Sequence, residues 1–226
     1  MVINLLNIFF PKICMGCNAI LSDNEEFICT SCRHKLPLTN FHLNDDTSIE
    51  KIFYGRVQIE NATSLLRFQK KGIVQNLLHN LKYRKQEKIG KYLGSWLGHQ
   101  LKNLDKYQSI DAVVPVPIHK MKLRKRGYNQ VSKFGREIAD ILKTDYIDDV
   151  LIKTSSTKTQ VFKKRLSRWQ DSNDMLSLKN KHKISGKHIL LVDDIITTGS
   201  TLEACSNVLL QAPDIKISIA TMAITE

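Results

Sequence analysis

Two segments of this 226-residue chain hold residues whose types and spacing can do chemistry. The first is Cys14-Met-Gly-Cys17, followed by Cys29-Thr-Ser-Cys32. Two such pairs can supply four thiolates to one tetrahedral Zn²⁺, each pair forming a tight turn whose amides point at sulfur. Four sulfur ligands leave no open coordination position, so the work of such a centre would be structural. Two disulfides and a redox pair are the competing explanations, and the cytoplasmic setting expected below disfavours the disulfides. His34 and His42 could replace a cysteine but read as solvated loop histidines. The fifth cysteine, Cys205, stands alone in a helical context as a small buried residue.

The second segment is Ile189-Leu-Leu-Val-Asp-Asp-Ile-Ile-Thr-Thr-Gly-Ser-Thr201. Its continuous apolar start is the pattern of a central parallel strand buried on both faces. Asp193 and Asp194 then fall at the strand's carboxyl end, where ligands bind in open α/β sheets. Leu202, Val208 and Leu209 continue as a helix, which puts Thr197, Thr198, Gly199, Ser200 and Thr201 at its N-terminus. Free amides and the positive dipole end favour a phosphate there, and Gly199 allows close approach of the backbone. Carboxylates repel phosphate, so the aspartates need sugar hydroxyls, a Mg²⁺, or both. A ribose 5-phosphate satisfies the whole set. A response-regulator receiver would carry such a pair near its start, and too few residues follow Asp194 here. A P-loop ATPase needs G-x-x-x-x-G-K-[ST] upstream, which is missing. A carboxylate-capped strand end before a Ser/Thr-capped helix explains one Asp and one Thr, but not the series.

Other elements must hold these groups in place. Apolar residues at helical spacing between about Asn61 and Asn103 (Leu65, Leu66, Ile73, Leu77, Leu78, Leu81, then Ile89, Leu93, Leu97, Leu101) predict two or three amphipathic helices, broken near Gly72 and Lys85. Ile52–Ile59 reads as a strand, Thr39–Glu50 as a linker, and Asp149–Lys153 as a further strand. Asp111–Ile118 is a short apolar strand that Pro115 and Pro117 must end. A basic run, His119–Arg126, reads as a loop before a helix carrying Val131, Phe134, Ile138 and Ile141, a plausible anion-binding corner. Leu81-Lys82-Tyr83-Arg84 is a basic and aromatic step that could equally be a solvated helix end. Thr154–Asn173 is long, polar and basic, and loops of that length are usually functional or disordered. Strands alternating with helices predict an α/β fold with a mostly parallel sheet flanked by helices.

Composition is that of a globular protein, with 42% hydrophobic and 25% charged residues. Thirty-four Lys and Arg against 22 Asp and Glu give a net charge of +12. That excess suits an anionic partner, or a merely lysine-rich surface. The opening MVINLLNIFF lacks the basic start and cleavage site of a signal peptide, and no run approaches the roughly 18 apolar residues of a membrane span. A cytoplasmic protein is expected, with Leu5, Leu6, Phe9 and Phe10 as an apolar docking face.

Ile189–Thr201 resembles the phosphoribosyl-pyrophosphate (PRPP) binding motif of type I phosphoribosyltransferases. With the four cysteines, Leu81-Lys82-Tyr83, Val114-Pro-Val-Pro117, Arg126-Gly-Tyr-Asn-Gln130 and the Thr/Gln/Arg-containing loop, nearly the whole chain resembles the ComF/GntX family of competence-associated proteins. The resemblance implies a zinc ribbon over residues 1–45 and a phosphoribosyltransferase-like domain over 46–226. It implies that Asp193 and Asp194 hold ribose hydroxyls directly or through Mg²⁺, and that Thr197–Thr201 cradle the 5-phosphate. Pyrophosphate would face Lys82, Tyr83, the loop after Val116, and Arg126. The segment around Gln160 to Arg168 would close over the site. The chain departs from the family pattern at Asn173–Leu178. The resemblance also implies a role in natural competence and DNA uptake. Either a phosphoribosyltransferase or a non-catalytic PRPP- or nucleotide-binding module, acting on single-stranded DNA or DNA-uptake proteins, remains open.

Overall fold

The chain's most continuous apolar runs are its sheet. In a computed structural model, which describes residues 11–155 and 174–225, strands β1 (Ala62–Phe68), β2 (Ala112–Pro115) and β3 (Asp145–Tyr146) join two later ones. Those are β6 (His188–Ile196) and β7 (Lys216–Thr225), after an antiparallel pair, β4 (Leu151–Ser155) and β5 (Asp174–Leu178), that lies apart. The five form an all-parallel sheet in the order β1-β7-β6-β2-β3. Side chains alternate across a strand, so β6 feeds two cores. Leu190 and Val192 pack with helices α3 (Ile73–Tyr83), α4 (Lys88–Leu101) and α7 (Ser132–Leu142). Ile189 and Leu191 pack with α2 (Ser48–Phe53) and α8 (Ser200–Leu209). This is an α/β fold, a mostly parallel sheet flanked by helices, as the sequence predicts.

Strand order places the site. β6 crosses through α8 to β7 on one side, while β2 crosses through α7 to β3 on the other. The carboxyl ends of β6 and β2 therefore flank the point where the winding reverses, and ligands bind at that crevice in open α/β sheets.

Several expectations are corrected. Ile52–Ile59 is the end of α2 and a turn, and the strand lies at Ala62–Phe68 instead. Leu65 and Leu66 belong to that strand and are both buried, a short apolar run that periodicity cannot tell from a helix. The helical reading holds from Ile73 onward, with the breaks at Gly72 and Lys85. The basic run is also not a loop. Beyond the one-turn helix α5 (Asp105–Gln108), Lys120–Arg126 forms a short exposed helix, α6, which ends on Gly127. The strand expected at Asp149–Lys153 begins at Leu151.

Thr39–Glu50 does not run free as a linker. Leu38 bridges Leu66, and Thr39 N–H donates to the Leu65 carbonyl at 3.1 Å, which covers the outer edge of β1. Phe41 is buried, and so is His42, contrary to its reading as a solvated histidine. Its Nδ1 meets Thr63 Oγ1 at 2.8 Å and its Nε2 meets Gln100 Oε1 at 3.2 Å. His34 is exposed as expected, although in the last turn of helix α1 (Thr30–His34) rather than in a loop, and Cys205 is fully buried, as expected. Among the described residues no helix is long and apolar enough to cross a membrane. Leu5, Leu6, Phe9, Phe10, Gln160 and Arg168 lie outside the described residues.

Candidate ligand site and metal centre

Proline chemistry opens the crevice. β2 follows β6 as far as Pro115 opposite Val192, and Val116 N–H makes one last bond to the Val192 carbonyl at 2.9 Å. Pro115 and Pro117 have no N–H to give. Beyond Val192, β6 keeps its ladder to β7 and loses its neighbour on the β2 side. Asp193 and Asp194 stand where that neighbour is lost, inside β6 rather than past its end.

Both carboxylates are buried, 8% and 5% exposed, which is unusual enough for adjacent acids to require a partner. Asp193 Oδ1 accepts the Asp194 N–H at 2.8 Å. Burial, and then the charge of Asp194, push the Asp193 carboxyl well above the usual carboxylate range. Adjacent strand residues point to opposite faces, and the two acids do so. Asp194 Oδ2 lies 3.1 Å from Lys82 Nζ, at the end of α3, close enough for an ion pair but outside hydrogen-bond geometry. Asp193 lies towards α8. Burial, and then its charge, push the Cys205 thiol up to about 12.

After β6 the chain turns through Thr197 and Thr198 to Gly199, the residue before α8. Gly199 has φ +76°, and a Cβ there would lie 2.9 Å from Ile52 Cγ2 and 3.1 Å from Phe53 Cε1. Both the backbone and the space therefore require glycine. The hydroxyl residues Thr197, Thr198, Ser200 and Thr201 are exposed around the first turn of α8, whose leading amides have no partner within the helix. Thr198 Oγ1 and Ser200 Oγ are 3.1 Å apart.

Arg56 was not singled out in the sequence. Its guanidinium donates to the carbonyls of Ile52 and Thr198, each at 3.1 Å, and pairs with Glu203 in the first turn of α8. It pins the hydroxyl loop from outside. A lone arginine between two elements carries no motif, so nothing in its spacing could have flagged it.

The remaining site residues converge on the far side of the crevice. Lys82, Tyr83, Lys85, Lys122, Lys125 and Arg126 line a cavity of about 290 Å³. The Arg126 guanidinium lies 5.9 Å from the Tyr83 ring centre, and Arg126 also bonds Gln130. Asn129 Nδ2 donates to the Val116 carbonyl at 3.0 Å, and Tyr128 OH donates to the Leu81 carbonyl. The Gly127–Gln130 turn thus ties α6 to the end of β2 and to the end of α3. Lys82 belongs both to this basic cavity and to Asp194.

The four cysteines come together as their spacing predicts. Their sulfurs all lie within 4.8 Å of one another, with Cys17 and Cys29 sulfurs 3.7 Å apart, near the roughly 3.8 Å edge of a zinc–thiolate tetrahedron. All five cysteines of the chain are free of disulfides. Gly16 and Cys29 N–H groups donate to Cys14 Sγ at 3.3 and 3.2 Å, and Cys32 N–H donates to Cys29 Sγ at 3.4 Å. Burial of Cys14 opposes ionisation, but the backbone donors of Cys29, Cys17 and Gly16 outweigh it and bring the thiol down to about 7. Burial, with the neighbouring thiols, instead raises Cys32 strongly. Four such groups ionise together only around a cation, so the donor set fits a divalent metal such as zinc, and the cluster fits a zinc ribbon.

Residues 127–224 match the phosphoribosyl transferase domain family. Competence protein F of Haemophilus influenzae is 27% identical over 212 residues, covering 89% of this chain and 92% of that protein. The DNA utilization protein YhgH of Escherichia coli K12 is 25% identical over 204 residues, covering 88% and 84%. An adenine phosphoribosyl transferase from Trypanosoma brucei, solved with AMP, pyrophosphate and ribose-5-phosphate, is similar over 67% of this chain and 68% of its own, at 15% identity and a TM-score of 0.39. The chain has the type I phosphoribosyltransferase fold, and its similarity to these proteins over nearly nine-tenths of its length fits the ComF family.

Proposed function

We propose that this protein binds PRPP or ribose 5-phosphate together with Mg²⁺, and that it serves the uptake and use of DNA. One observation carries the reading: a buried aspartate pair at the winding reversal runs directly into exposed hydroxyls at a helix N-terminus. Asp194 Oδ2, buried and without a hydrogen bond, suits a hard cation or a ribose hydroxyl. The Thr197–Thr201 turn suits the 5-phosphate. Lys82 and Arg126, across the crevice, suit a second anionic group such as pyrophosphate. If the site turns over, a nucleophile displaces pyrophosphate at the ribose C1, and these residues contribute positioning and charge stabilisation. Mg²⁺, when bound, would neutralise phosphate charge from the Asp193–Asp194 side.

The role in DNA use rests on the names of the similar proteins and on the basic cavity. That cavity favours a second, non-catalytic reading. Tyr83 is 70% exposed among four cations besides Lys82, and an aromatic face among cations is what a single-stranded DNA groove uses. The four cysteines would hold a structural Zn²⁺ in either case.

Titration calorimetry with PRPP and Mg²⁺ tests the site. The Asp193→Asn, Asp194→Asn double variant should lose measurable binding, and undiminished binding would reject the assignment. Acceptor-dependent pyrophosphate release from labelled PRPP, across nucleobases and ammonia donors, separates turnover from binding alone. Single-stranded DNA affinity should fall steeply with salt if the basic cavity meets phosphates.

A further inference from the structure

The metal centre and the ligand site share one helix. Asn76 and Asn80, four apart on α3, each reach into the first cysteine turn. Asn76 Nδ2 donates to the Gly16 carbonyl at 2.7 Å, and Asn80 Nδ2 donates to the Met15 carbonyl at 2.9 Å. Met15 and Gly16 are the two residues between Cys14 and Cys17. Gly16 is wedged there, since a Cβ would lie 2.9 Å from Ile73 Cγ2, at the start of α3, and 3.2 Å from Cys32 Sγ. Asn80 is 5% exposed, so its amide has no water to fall back on. Two residues further on, Lys82 faces Asp194, and the Leu81 carbonyl between them accepts from Tyr128. The helix is short, and Leu77, Leu78 and Leu81 are buried in one core with Cys14 and Cys32, so close packing couples its two ends.

We propose that Asn80, assisted by Asn76, is a positioning residue through which the state of the four-cysteine turn sets the placement of Lys82, so that metal occupancy at Cys14, Cys17, Cys29 and Cys32 governs affinity at the ribose-phosphate site. This rests on the ligand reading above. When the turn is held in one shape by the metal, its two carbonyls fix α3 along its length. When the thiols separate, both amide bonds lose their geometry and Lys82 loses its registration on Asp194. The coupling is reciprocal, because each ligand must favour the arrangement that the other favours.

The test uses the full chain with zinc bound, and again after a zinc-selective chelator with Mg²⁺ kept constant. For the wild type, PRPP affinity should drop about fivefold or more on zinc removal, the scale of one lost buried hydrogen bond. In the Asn76→Ala, Asn80→Leu variant the ratio of the two affinities should collapse towards one. A merely structural role would weaken binding in both metal states and leave the ratio unchanged, so an unchanged ratio overturns the proposal. Should the stripped protein unfold, zinc release from the loaded protein is followed with and without PRPP. PRPP should slow release in the wild type and leave the variant's rate unaffected, and equal protection in both proteins rejects the coupling. Zinc-loaded wild type that does not bind PRPP at all overturns the ligand assignment, and the coupling with it. Binding with no dependence on zinc overturns the coupling alone.

Discussion

The two chemistry-bearing regions are opposites in how they treat their own polar groups. The four-cysteine turn satisfies itself: backbone N–H groups point inward at sulfur, and the thiols face one another within 4.8 Å. The carboxylate loop does not. It buries two adjacent acids, leaves Asp194 Oδ2 without a hydrogen bond, and exposes a run of hydroxyls. A closed donor set around one cation suits a structural centre, whereas an open, unsatisfied one suits an exchangeable ligand. The second region accordingly costs the fold stability, and a cation held by the four cysteines would offset it.

The largest effect should therefore come from the closed region. Cys32→Ser removes a buried ligand, and stability should fall by on the order of 5 kcal/mol, since structural zinc is worth about 10 kcal/mol or more in small peptides. For a chain of this size that is a drop of roughly 10–20 °C in melting temperature. Zinc analysis should show loss of about one ion per chain. A variant that melts like the wild type would remove the contrast between the regions. In the open region, Gly199→Ala should cost about 2–4 kcal/mol, combining the left-handed backbone with the overlap on Ile52 and Phe53. It should also weaken PRPP binding, measured by calorimetry, because the hydroxyl turn must shift.

The same contrast explains what the sequence disclosed. Each centre is written in one or two short segments, so Cys14–Cys32 and Ile189–Thr201 announce their chemistry locally. The sheet's centre was legible for the same reason, since an apolar run such as Ile189–Val192 has only one comfortable place. What joins the regions was not legible. Lys82 and Asp194, Arg56 and Thr198, and Asn80 and Met15 are each far apart in the chain, and none carries a period or a motif. The strand at Leu65 and Leu66 is hidden because two adjacent buried leucines suit a buried strand as well as a helix. Lys120–Arg126 hid its helix because it buries no residue, so no apolar stripe marks it.

Two smaller predictions separate the open site's cost from the joint that holds the regions together. Burial, and then Asp194, raise the Asp193 carboxyl, so between the usual carboxylate range and its raised value the native state holds a proton that the unfolded chain has lost. Stability from this group is full in acid and is lost as pH rises. Asp193→Asn should then stabilise the free protein by about 1–2 kcal/mol at neutral pH, a gain that vanishes near pH ~4, while its ligand binding suffers. His42 has the opposite sign. Burial lowers its pKa, so in acid the unfolded chain takes up a proton that the native state refuses. Its contribution is present above about pH 6.5 and falls away below it. His42→Gln should cost about 1 kcal/mol at neutral pH through its bonds to Thr63 and Gln100, with the deficit shrinking as pH drops and the wild type weakens. Urea unfolding from pH 4 to 8 reads both. Relative to the wild type, the Asp193 variant's advantage should grow with pH, while the His42 variant's deficit should deepen. If the Asp193 difference is flat in pH, the open site stores no electrostatic cost. If the His42 difference is flat, the segment that follows the cysteine unit is held by packing at Phe41, and not by its buried imidazole.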